Sequence, residues 1–267
     1  MSFSIAGKTA IVTGAANGVG LAIGRQFVEA GANVVFCDMD EAQLEKELGS
    51  DMTDDSPIRV FSGDLREKLT VKNLLSATID AFETVDILVN ATRQVMPTDP
   101  LDADDDSVMR LMEQNMLTSL RISQAVARRM IKQAEGQEEG TVGSIINLSS
   151  IAAIRTHPEL LGYSIAAAAA DQMTRSLAVA LAPQRIRVNT VSFGSVMSAS
   201  LKMALKENED HRIEIIKRTP LGRIGGPNEV CDAVQYLASD ASAFVTGQII
   251  TVDGGRTLVD PVSSPAH

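Results

Sequence analysis

A glycine-rich segment near the amino terminus has the residue types and spacing of a phosphate-binding turn. The letters TGAANGVG run from Thr13 to Gly20, between a short apolar run and a helical pattern. Glycine lets the backbone turn tightly and come close to a pyrophosphate, and the amino terminus of the following helix adds positive partial charge. We therefore favour dinucleotide binding over an ordinary strand-to-helix turn, in which glycine is also frequent. The expected phosphate contacts are Gly14, Asn17, Gly18, Val19 and Gly20.

An acidic residue, Asp38, closes the second apolar run of the chain. In a dinucleotide site, a carboxylate about 20 residues beyond the glycines accepts hydrogen bonds from the adenosine ribose. The same carboxylate would repel a 2′-phosphate, and Asn17 stands in the turn where a cation could otherwise hold that phosphate. The pattern therefore favours NAD over NADP. The alternative is that Asp38 only caps or solvates the end of a strand.

Apolar runs of strand length alternate with helical patterns along the chain. The predicted strands are Thr9–Thr13, Asn33–Cys37, Ile58–Phe61, Asp86–Val89, Gly143–Leu148, Arg187–Val191 and Gln248–Val252. The predicted helices are Val19–Ala30, Glu41–Leu48 with Asp40 as N-cap, a periodic stretch from Val71 to Phe82, Ser107–Ile131, Tyr163–Leu181 and Asn228–Leu237. This alternation predicts a single-domain α/β fold with a Rossmann-type, doubly wound parallel sheet of about seven strands and helices on both faces.

Composition and charge exclude several classes of function. The 267 residues carry a net charge of −10, and an acidic surface repels the phosphates of nucleic acid. No segment has the roughly 18 uninterrupted apolar residues of a membrane helix, and the amino-terminal residues do not resemble a signal peptide. The two cysteines, Cys37 and Cys231, do not indicate a disulfide framework, so we expect a cytoplasmic protein.

Two further kinds of chemistry lack support in the sequence. The three histidines, His157, His211 and His267, have no cysteine or carboxylate at metal-ligand spacing, so we expect no metal site. No serine lies in a G-x-S-x-G segment, which argues against a hydrolase.

In chain order, further residues resemble the motifs of the short-chain dehydrogenase/reductase family along nearly the whole sequence. Thr13–Gly20 is similar to its TGxxxGxG turn, the Asp64-Leu65 pair to its adenine contact, and Asn90 to the start of its NNAG motif. The remaining matches are the catalytic Asn115, Ser150 and Tyr163, the nicotinamide-carboxamide segment with Asn189, Gly194, Val196 and Ser198, and the carboxyl-terminal signature Thr246–Gln248 and Asp253–Gly255.

The resemblance implies hydride transfer between NAD(H) and a secondary alcohol or ketone, with a small-molecule substrate. It implies that Tyr163 is the acid/base and also contacts the cofactor, that Ser150 orients the substrate oxygen, and that Asn115 supports a water relay. Family members are commonly tetramers, so the resemblance also implies a homotetramer that pairs the helices Ser107–Ile131 and Tyr163–Leu181 with their symmetry mates.

The resemblance also places the domain and the substrate loop. We expect one dinucleotide-binding domain over residues 1–260, with a substrate loop near 195–215, and a carboxyl-terminal tail over 261–267. Met197 and Met203 lie in that loop, and methionine adapts to irregular apolar shapes. These two methionines are equally consistent with a site for a hydrophobic substrate and with ordinary packing of a helix against the core.

Three positions depart from the family's motifs. Where the family has Tyr-x-x-x-Lys, the lysine position is Ala167. The NNAG motif reads Asn90-Ala91-Thr92-Arg93 and so lacks its glycine, and the proline before Gly194 is replaced by Phe193. The first departure concerns catalysis, whereas the other two are expected to alter local backbone shape and the pocket.

The alanine at position 167 predicts a severely impaired enzyme that still binds cofactor. A free tyrosine has a pKa of about 10, and a nearby ammonium lowers such a value by about 1–3 units. The family lysine supplies that charge and also binds the nicotinamide ribose, and alanine does neither. General acid–base catalysis contributes roughly 10²–10⁴-fold, which sets the scale of the expected loss.

Several alternatives remain open. The retained Asn115, Ser150 and Tyr163 favour an engineered substitution at Ala167 in an active enzyme over a natural pseudoenzyme. A second hypothesis is a non-catalytic dinucleotide-binding sensor or partner protein, which Ala167 favours. A third is a methyltransferase, because those enzymes also use a glycine-rich turn and an acidic strand end. The resemblance along the full chain argues against the third.

Overall fold

A computed structural model describes residues 3–53, 55–197, 201, 205–206 and 209–260 of the chain. The strands are β1 (Thr9–Thr13), β2 (Asn33–Asp38), β3 (Ile58–Ser62), β4 (Ile87–Asn90), β5 (Gly143–Ser150), β6 (Ile186–Phe193) and β7 (Ile249–Val252). They form one seven-stranded sheet in the order β3-β2-β1-β4-β5-β6-β7. All the strand pairs are parallel, which requires a crossover between successive strands.

Helices supply most of these crossovers. They are α1 (Gly18–Glu29), α2 (Glu41–Leu48), α3 (Lys68–Phe82), α4 (Ser107–Met112), α5 (Thr118–Gln133), α6 (Leu161–Leu181), α7 (Glu209–Lys217) and α8 (Pro227–Ala238). A five-residue π-helical segment, Glu113–Leu117, joins α4 to α5.

The sheet is covered on both faces, so its central strands are buried along almost their whole length. Buried residues of α1, α2 and α8 form one layer with the sheet, and buried residues of α3, α5 and α6 form the other. Every residue of β1 is buried. The thiol of Cys37 lies in the α3–α5–α6 layer and that of Cys231 in the α1–α8 layer, and both cysteines are free.

The predicted fold class is confirmed, because the chain forms a seven-stranded parallel sheet with helices on both faces. Each predicted strand agrees with an observed strand to within one or two residues at either end. The predicted N-cap of α2 is also present, since the carboxylate of Asp40 accepts a hydrogen bond from the backbone N–H of Gln43 at 3.0 Å.

Two helical predictions were wrong or incomplete. The segment Ser107–Ile131 is not one regular helix, because the π-helical segment Glu113–Leu117 inserts an extra residue into the turn. The helix α7 lies partly in the segment expected to be a substrate loop and was not predicted. The tail 261–267 lies outside the described residues.

The described part of the chain contains neither a membrane-spanning helix nor a cluster of metal ligands. None of its helices is long and apolar enough to cross a membrane. Within the same residues, no three histidine, cysteine, aspartate or glutamate side chains come together as metal ligands.

Candidate active site

The strand order of the sheet reverses between β1 and β4, and we call the crevice that this topology implies at their carboxyl ends the cleft. Ligands of doubly wound sheets bind at such a switch point. The hydroxyl of Thr13 at the end of β1 accepts hydrogen bonds from the backbone N–H groups of Ala91 at 3.1 Å and Thr92 at 3.3 Å. This side chain therefore ties the end of β1 to the segment that follows β4.

The glycine-rich turn forms one wall of the cleft. Gly14 has φ +62°, and a Cβ there would lie 2.8 Å from the carbonyl carbon and oxygen of Ala91. A Cβ on Gly20 would lie 2.1 Å from the carbonyl oxygen of Gly14. Gly18 has φ +58°, and a Cβ there would meet nothing within 4 Å. The turn is therefore closely packed inside and open at the start of α1, which leaves room for a diphosphate at the helix amino terminus.

The acidic residue predicted to hold the ribose lies beside this turn. Asp38 accepts a hydrogen bond from the backbone N–H of Ala16 at 3.0 Å and another from that of Asp40 at 3.1 Å. Asn17, the N-cap of α1, is exposed and makes no capping bond with its side chain, and Val19 is half-buried. The three predicted contacts thus lie in the glycine-rich turn or directly beside it.

The predicted adenine contact, Asp64 and Leu65, follows β3. Leu65 is buried in the apolar layer. The carboxylate of Asp64 pairs with the guanidinium of Arg66 at 2.6 Å, and hydrogen bonds from that group hold the pKa of Asp64 below its usual value. The Asp64 carboxylate is therefore already paired within the chain.

Ser150 and Tyr163 share a neighbour, Ala152, beyond the carboxyl end of β5. Ser150 is the last residue of β5, and its hydroxyl accepts a hydrogen bond from the backbone N–H of Ala152 at 3.2 Å. Tyr163, in the first turn of α6, packs in one small buried cluster with Leu111, Ala152 and Ala166. Ala152 thus links the serine to the tyrosine.

Ala167 lies one helical turn after Tyr163 and is buried. Its carbonyl oxygen accepts a hydrogen bond from the hydroxyl of Ser149 at 3.4 Å. One further turn along α6, a carboxylate oxygen of Asp171 is buried without a hydrogen-bond partner among the described residues. Burial raises the pKa of the Asp171 carboxyl, and a hydrogen bond from Ser149 offsets this only in part. The side chain of Ala167 thus places a methyl group at the position where the family motif has the ammonium of a lysine.

Asn115 lies in the middle of the π-helical segment between α4 and α5. Its side-chain amide donates to the carbonyl oxygen of Gln94 and accepts from the N–H of Gln94, both at 2.8 Å. A π-helical turn widens the helix and is frequent at functional sites. Here it turns an amide towards the segment after β4, so Asn115 shapes the wall of the cleft.

Asn90 directs its side chain into the interior of the protein. The amide donates to the hydroxyl of Ser123 at 2.9 Å and to the side-chain oxygen of Asn147 at 2.7 Å. Asn147 in turn donates to Thr174, whose hydroxyl lies 2.7 Å from that of Thr190. Asn90 is only 3% exposed, so its side chain is committed to this buried hydrogen-bond network.

The segment predicted to hold the nicotinamide carboxamide follows β6. The N–H of Gly194 donates to the carbonyl oxygen of Val252 at 3.2 Å, and buried Val196 forms a parallel bridge with Gly225. Ser198, also predicted to contact the cofactor, lies outside the described residues.

Asn189 and a small cavity show how this segment is supported. The side chain of Asn189 donates to the carbonyl oxygen of Val245 at 2.9 Å and accepts from the N–H of Gln248 at 3.0 Å. A cavity of about 210 Å³ opens behind the segment, and Arg256 on its wall donates to the hydroxyl of Ser195 at 2.8 Å. Its lining includes Val196 of that segment together with Thr219, Glu229 and Asp253, and does not include Ser150.

Sequence reasoning missed one contact in the site. The guanidinium of Arg93 lies over the ring of Phe193, 4.7 Å from the ring centroid. These residues are two of the three departures from the family pattern, and each was interpreted as a separate change of local shape. Nothing in the linear sequence pairs them, but the strand order does, because β5 alone separates the ends of β4 and β6.

The comparisons with known proteins agree over the whole domain. The family model described as enoyl-(acyl carrier protein) reductase matches residues 14–257. The 3-oxoacyl-[acyl-carrier-protein] reductase of Rickettsia conorii is 32% identical over 255 residues, which cover 96% of this chain and 99% of that protein.

Two solved structures are similar in both fold and sequence. A 7α-hydroxysteroid dehydrogenase in complex with NADH and 7-oxo glycochenodeoxycholic acid has a TM-score of 0.86 and 29% identity, covering 95% of this chain and 96% of that one. A gluconate 5-dehydrogenase from Burkholderia cenocepacia in complex with NADP and tartrate also has a TM-score of 0.86, with 30% identity and 97% and 98% coverage.

Proposed function

We propose, from the premise that this chain belongs to the short-chain dehydrogenase/reductase family, that its cofactor is NAD(H) and its substrate pair a secondary alcohol and a ketone. We further propose that the chain as written turns over slowly, because Ala167 stands at the lysine position. The observation that carries the choice of cofactor is the Asp38 carboxylate, 3.0 Å from the N–H of Ala16 in the glycine-rich turn.

The cofactor assignment rests on charge. The titles of the two similar structures name NADH for one and NADP for the other, so membership of the family does not decide between them. A 2′-phosphate on the adenosine ribose would lie next to the Asp38 carboxylate, and two neighbouring anions repel each other. The ribose hydroxyls of NAD would instead donate hydrogen bonds to it.

The turn also fits the diphosphate. Close packing at Gly14 and Gly20 holds the backbone in place, and the open space beside Gly18 lies at the amino terminus of α1. Backbone N–H groups at a helix amino terminus bind phosphate without a cationic side chain.

In the proposed reaction the nicotinamide ring supplies or accepts the hydride. The hydroxyl of Ser150 would donate a hydrogen bond to the substrate oxygen and so orient it. Tyr163 would give its phenolic proton to that oxygen during reduction and take it back during oxidation. Asn115 holds the segment at Gln94 that forms the adjacent wall. No ammonium at position 167 supports the phenolate, so proton transfer is the step expected to be slow.

A second candidate function is a non-catalytic dinucleotide-binding sensor or partner protein. Ala167 favours it, and so does the contact of Arg93 with Phe193, because both changes fall where the chemistry would occur. The retained Asn115, Ser150 and Tyr163 favour the enzyme, and on the same ground we take Ala167 to be an engineered substitution. On either candidate the ligand is a small molecule, and the substrate is hydrophobic if the methionines of the loop line its site.

We also propose a homotetramer in the cytoplasm. Apolar side chains on α4 and α6 are exposed in the single chain, with Met109 at 71%, Ile165 at 42% and Val179 at 79%. Such a surface suits pairing with symmetry mates, and sedimentation showing only monomer would contradict it.

The two buried free thiols suit a reducing compartment.

The cofactor assignment is tested by titrating the protein with NADH and NADPH and following the cofactor's fluorescence. We expect tighter binding of NADH. The variant Asp38→Ser should weaken NADH binding by roughly tenfold or more, because hydrogen bonds to a charged group contribute about 1.5–3 kcal/mol. It should also strengthen NADPH binding, because the repulsion is removed.

The matched control is Asp40→Ser, which removes the same charge from the exposed N-cap of α2. It should leave the NADH-to-NADPH preference unchanged. Equal affinity of the unaltered protein for the two cofactors would refute the assignment to NAD, and binding of neither would refute the function as a whole.

A further inference from the structure

Arg93 holds a positive charge at the chemical end of the cleft in an arrangement that the family motifs do not contain. Its guanidinium lies 4.7 Å from the centroid of the Phe193 ring, and a planar cation over an aromatic face is attracted to it. Among the described residues, no carboxylate forms a salt bridge with Arg93. Its charge is therefore not neutralised by an acidic partner there.

The backbone on both sides of Arg93 is fixed. The N–H groups of Ala91 and Thr92 donate to the hydroxyl of Thr13, at 3.1 and 3.3 Å. On the other side, Asn115 holds both the N–H and the carbonyl oxygen of Gln94 at 2.8 Å. The Cα atom of Arg93 thus lies between two anchored points, and its guanidinium stays within a side chain's length of the cleft.

The same charge is close to the expected position of the reacting groups. Phe193 pairs with Ser150 in the register of β5 and β6, so the ring lies beside the strand end that carries the serine. Phe193 also directly precedes Gly194, the start of the segment proposed to hold the nicotinamide carboxamide. Given the proposed function, on which this inference rests, Arg93 therefore faces the nicotinamide end of the dinucleotide.

The two redox forms of the cofactor differ in charge at that end. The oxidised nicotinamide ring carries a positive charge, and the reduced ring is neutral. A fixed guanidinium nearby raises the free energy of the oxidised complex and leaves that of the reduced complex almost unchanged. Because Arg93 is exposed, solvent screens part of this repulsion, and the expected effect is moderate.

We propose that Arg93 makes the site selective for the reduced cofactor, so that the protein binds NADH in preference to NAD⁺. The ring of Phe193 serves to hold the guanidinium at the cleft. The residue acts on specificity and does not itself transfer a proton. The inference assigns a direction to the proposed function: the complex that accumulates is the one poised for reduction of a ketone, or for reporting NADH if the chain does not turn over.

The test is a set of binding measurements that need no turnover. The chain has no tryptophan, so the fluorescence of NADH can be followed without energy transfer from the protein's indoles. Affinities for NAD⁺ and for ADP-ribose, which lacks the nicotinamide, are obtained by competition with NADH. For Arg93→Gln we expect the Kd for NAD⁺ to fall about tenfold. The reason is that the variant removes a positive charge which, although partly screened by solvent, repels the positive nicotinamide ring at close range. The Kd values for NADH and ADP-ribose should change by less than about twofold.

Three further variants separate charge from shape. Arg93→Lys keeps the charge and should keep the preference for NADH. Phe193→Leu removes the ring that holds the guanidinium and should reduce the preference to an intermediate value. Arg128→Gln removes the same charge from the exposed surface of α5 and should leave all three affinities unchanged.

Each remaining outcome contradicts the inference. If Arg93→Gln improves NAD⁺ and NADH binding equally, Arg93 acts by its bulk. If neither affinity changes, its charge does not reach the ring, and if both weaken, Arg93 is a binding group for the cofactor. If the unaltered protein binds ADP-ribose and NADH but shows no preference for NADH over NAD⁺, this inference alone fails. If it binds none of the three ligands, the proposed function fails as well.

Discussion

The two halves of the cleft differ in how far they keep the residues expected of them. The adenine half, formed by the turn Thr13–Gly20 and by Asp38, matches the family pattern and is assembled from backbone and one carboxylate. The nicotinamide half contains all three departures, at Arg93, Ala167 and Phe193. Each departure replaces a family residue by a side chain of different size or charge.

On the proposed function, this difference means that binding and chemistry depend on different parts of the fold. Gly14 and Gly20 of the adenine half lie against backbone atoms, so a larger residue at either position would disturb the backbone of the turn. In the nicotinamide half, Ala167 is buried without strain, and Arg93 and Phe193 pack against each other. Catalytic residues can thus be exchanged while the fold and the cofactor turn persist.

The largest expected effect comes from restoring the nicotinamide half. Ala167→Lys should raise turnover of secondary alcohols by roughly 10²–10⁴-fold, because the ammonium supports the phenolate of Tyr163. The measurement is NADH formation over a panel of alcohols, with dinucleotide affinity measured in parallel. Ala168→Lys, which adds the same charge at the neighbouring exposed position, is the control and should have no effect. Equal rates for the original chain and Ala167→Lys would show that the lost lysine does not limit the chemistry.

A smaller effect is expected from disturbing the adenine half. Gly20→Ala should lower the free energy of unfolding by about 1–3 kcal/mol, the usual cost of overpacking, and should weaken NADH binding. The reason is that its Cβ would lie 2.1 Å from the carbonyl oxygen of Gly14. Urea unfolding measures the loss.

Gly18→Ala is the matched comparison within the same turn. A Cβ there meets nothing, so the only cost is the left-handed backbone, about 1–2 kcal/mol. If Gly18→Ala destabilises the protein clearly more than Gly20→Ala, the close contact inside the turn is not what makes it rigid.

The smallest effect concerns the buried carboxylate of Asp171. Burial raises the pKa of this carboxyl above its usual value, so the folded state favours the protonated form. Its contribution to stability is present below the unfolded pKa and is lost as the pH rises through the folded pKa. Asp171→Asn does not titrate and should therefore be more stable than the original chain at pH 7 by about 1 kcal/mol, because the original carboxylate must lose its hydration when it is buried with a charge.

The same variant should show almost no gain near pH 3, where the original carboxyl is protonated. Thermal unfolding across this range measures the difference. If the gain in stability is the same at every pH, the missing hydrogen bond of the Asp171 oxygen, and not its charge, is what destabilises the original chain.

Local patterns account for what the sequence predicted. The strands are short apolar runs buried on both sides, and the turn Thr13–Gly20 requires glycine for reasons that act within a few residues. The seven strands and the helices α1, α2, α6 and α8 could therefore be predicted with good bounds, and so could the Asp40 cap.

Features that depend on contacts between distant residues could not be predicted. The π-helical segment at Asn115 leaves the apolar periodicity of Ser107–Ile131 almost intact, because one extra residue shifts the pattern only slightly. The burial of the Asn90 amide depends on Asn147 and Ser123, which lie on other elements. The contact between Arg93 and Phe193 exists only because the sheet brings the ends of β4 and β6 near each other.

The two cysteines give the protein a built-in reporter of structural opening. Burial raises the pKa of the Cys231 thiol to about 12 and raises that of Cys37 further, so neither forms the reactive thiolate in the native state. An alkylating reagent should therefore modify them only when the layer that covers each one opens. Because the two thiols lie on opposite faces of the sheet, their separate alkylation rates would report whether the two layers open together or one before the other.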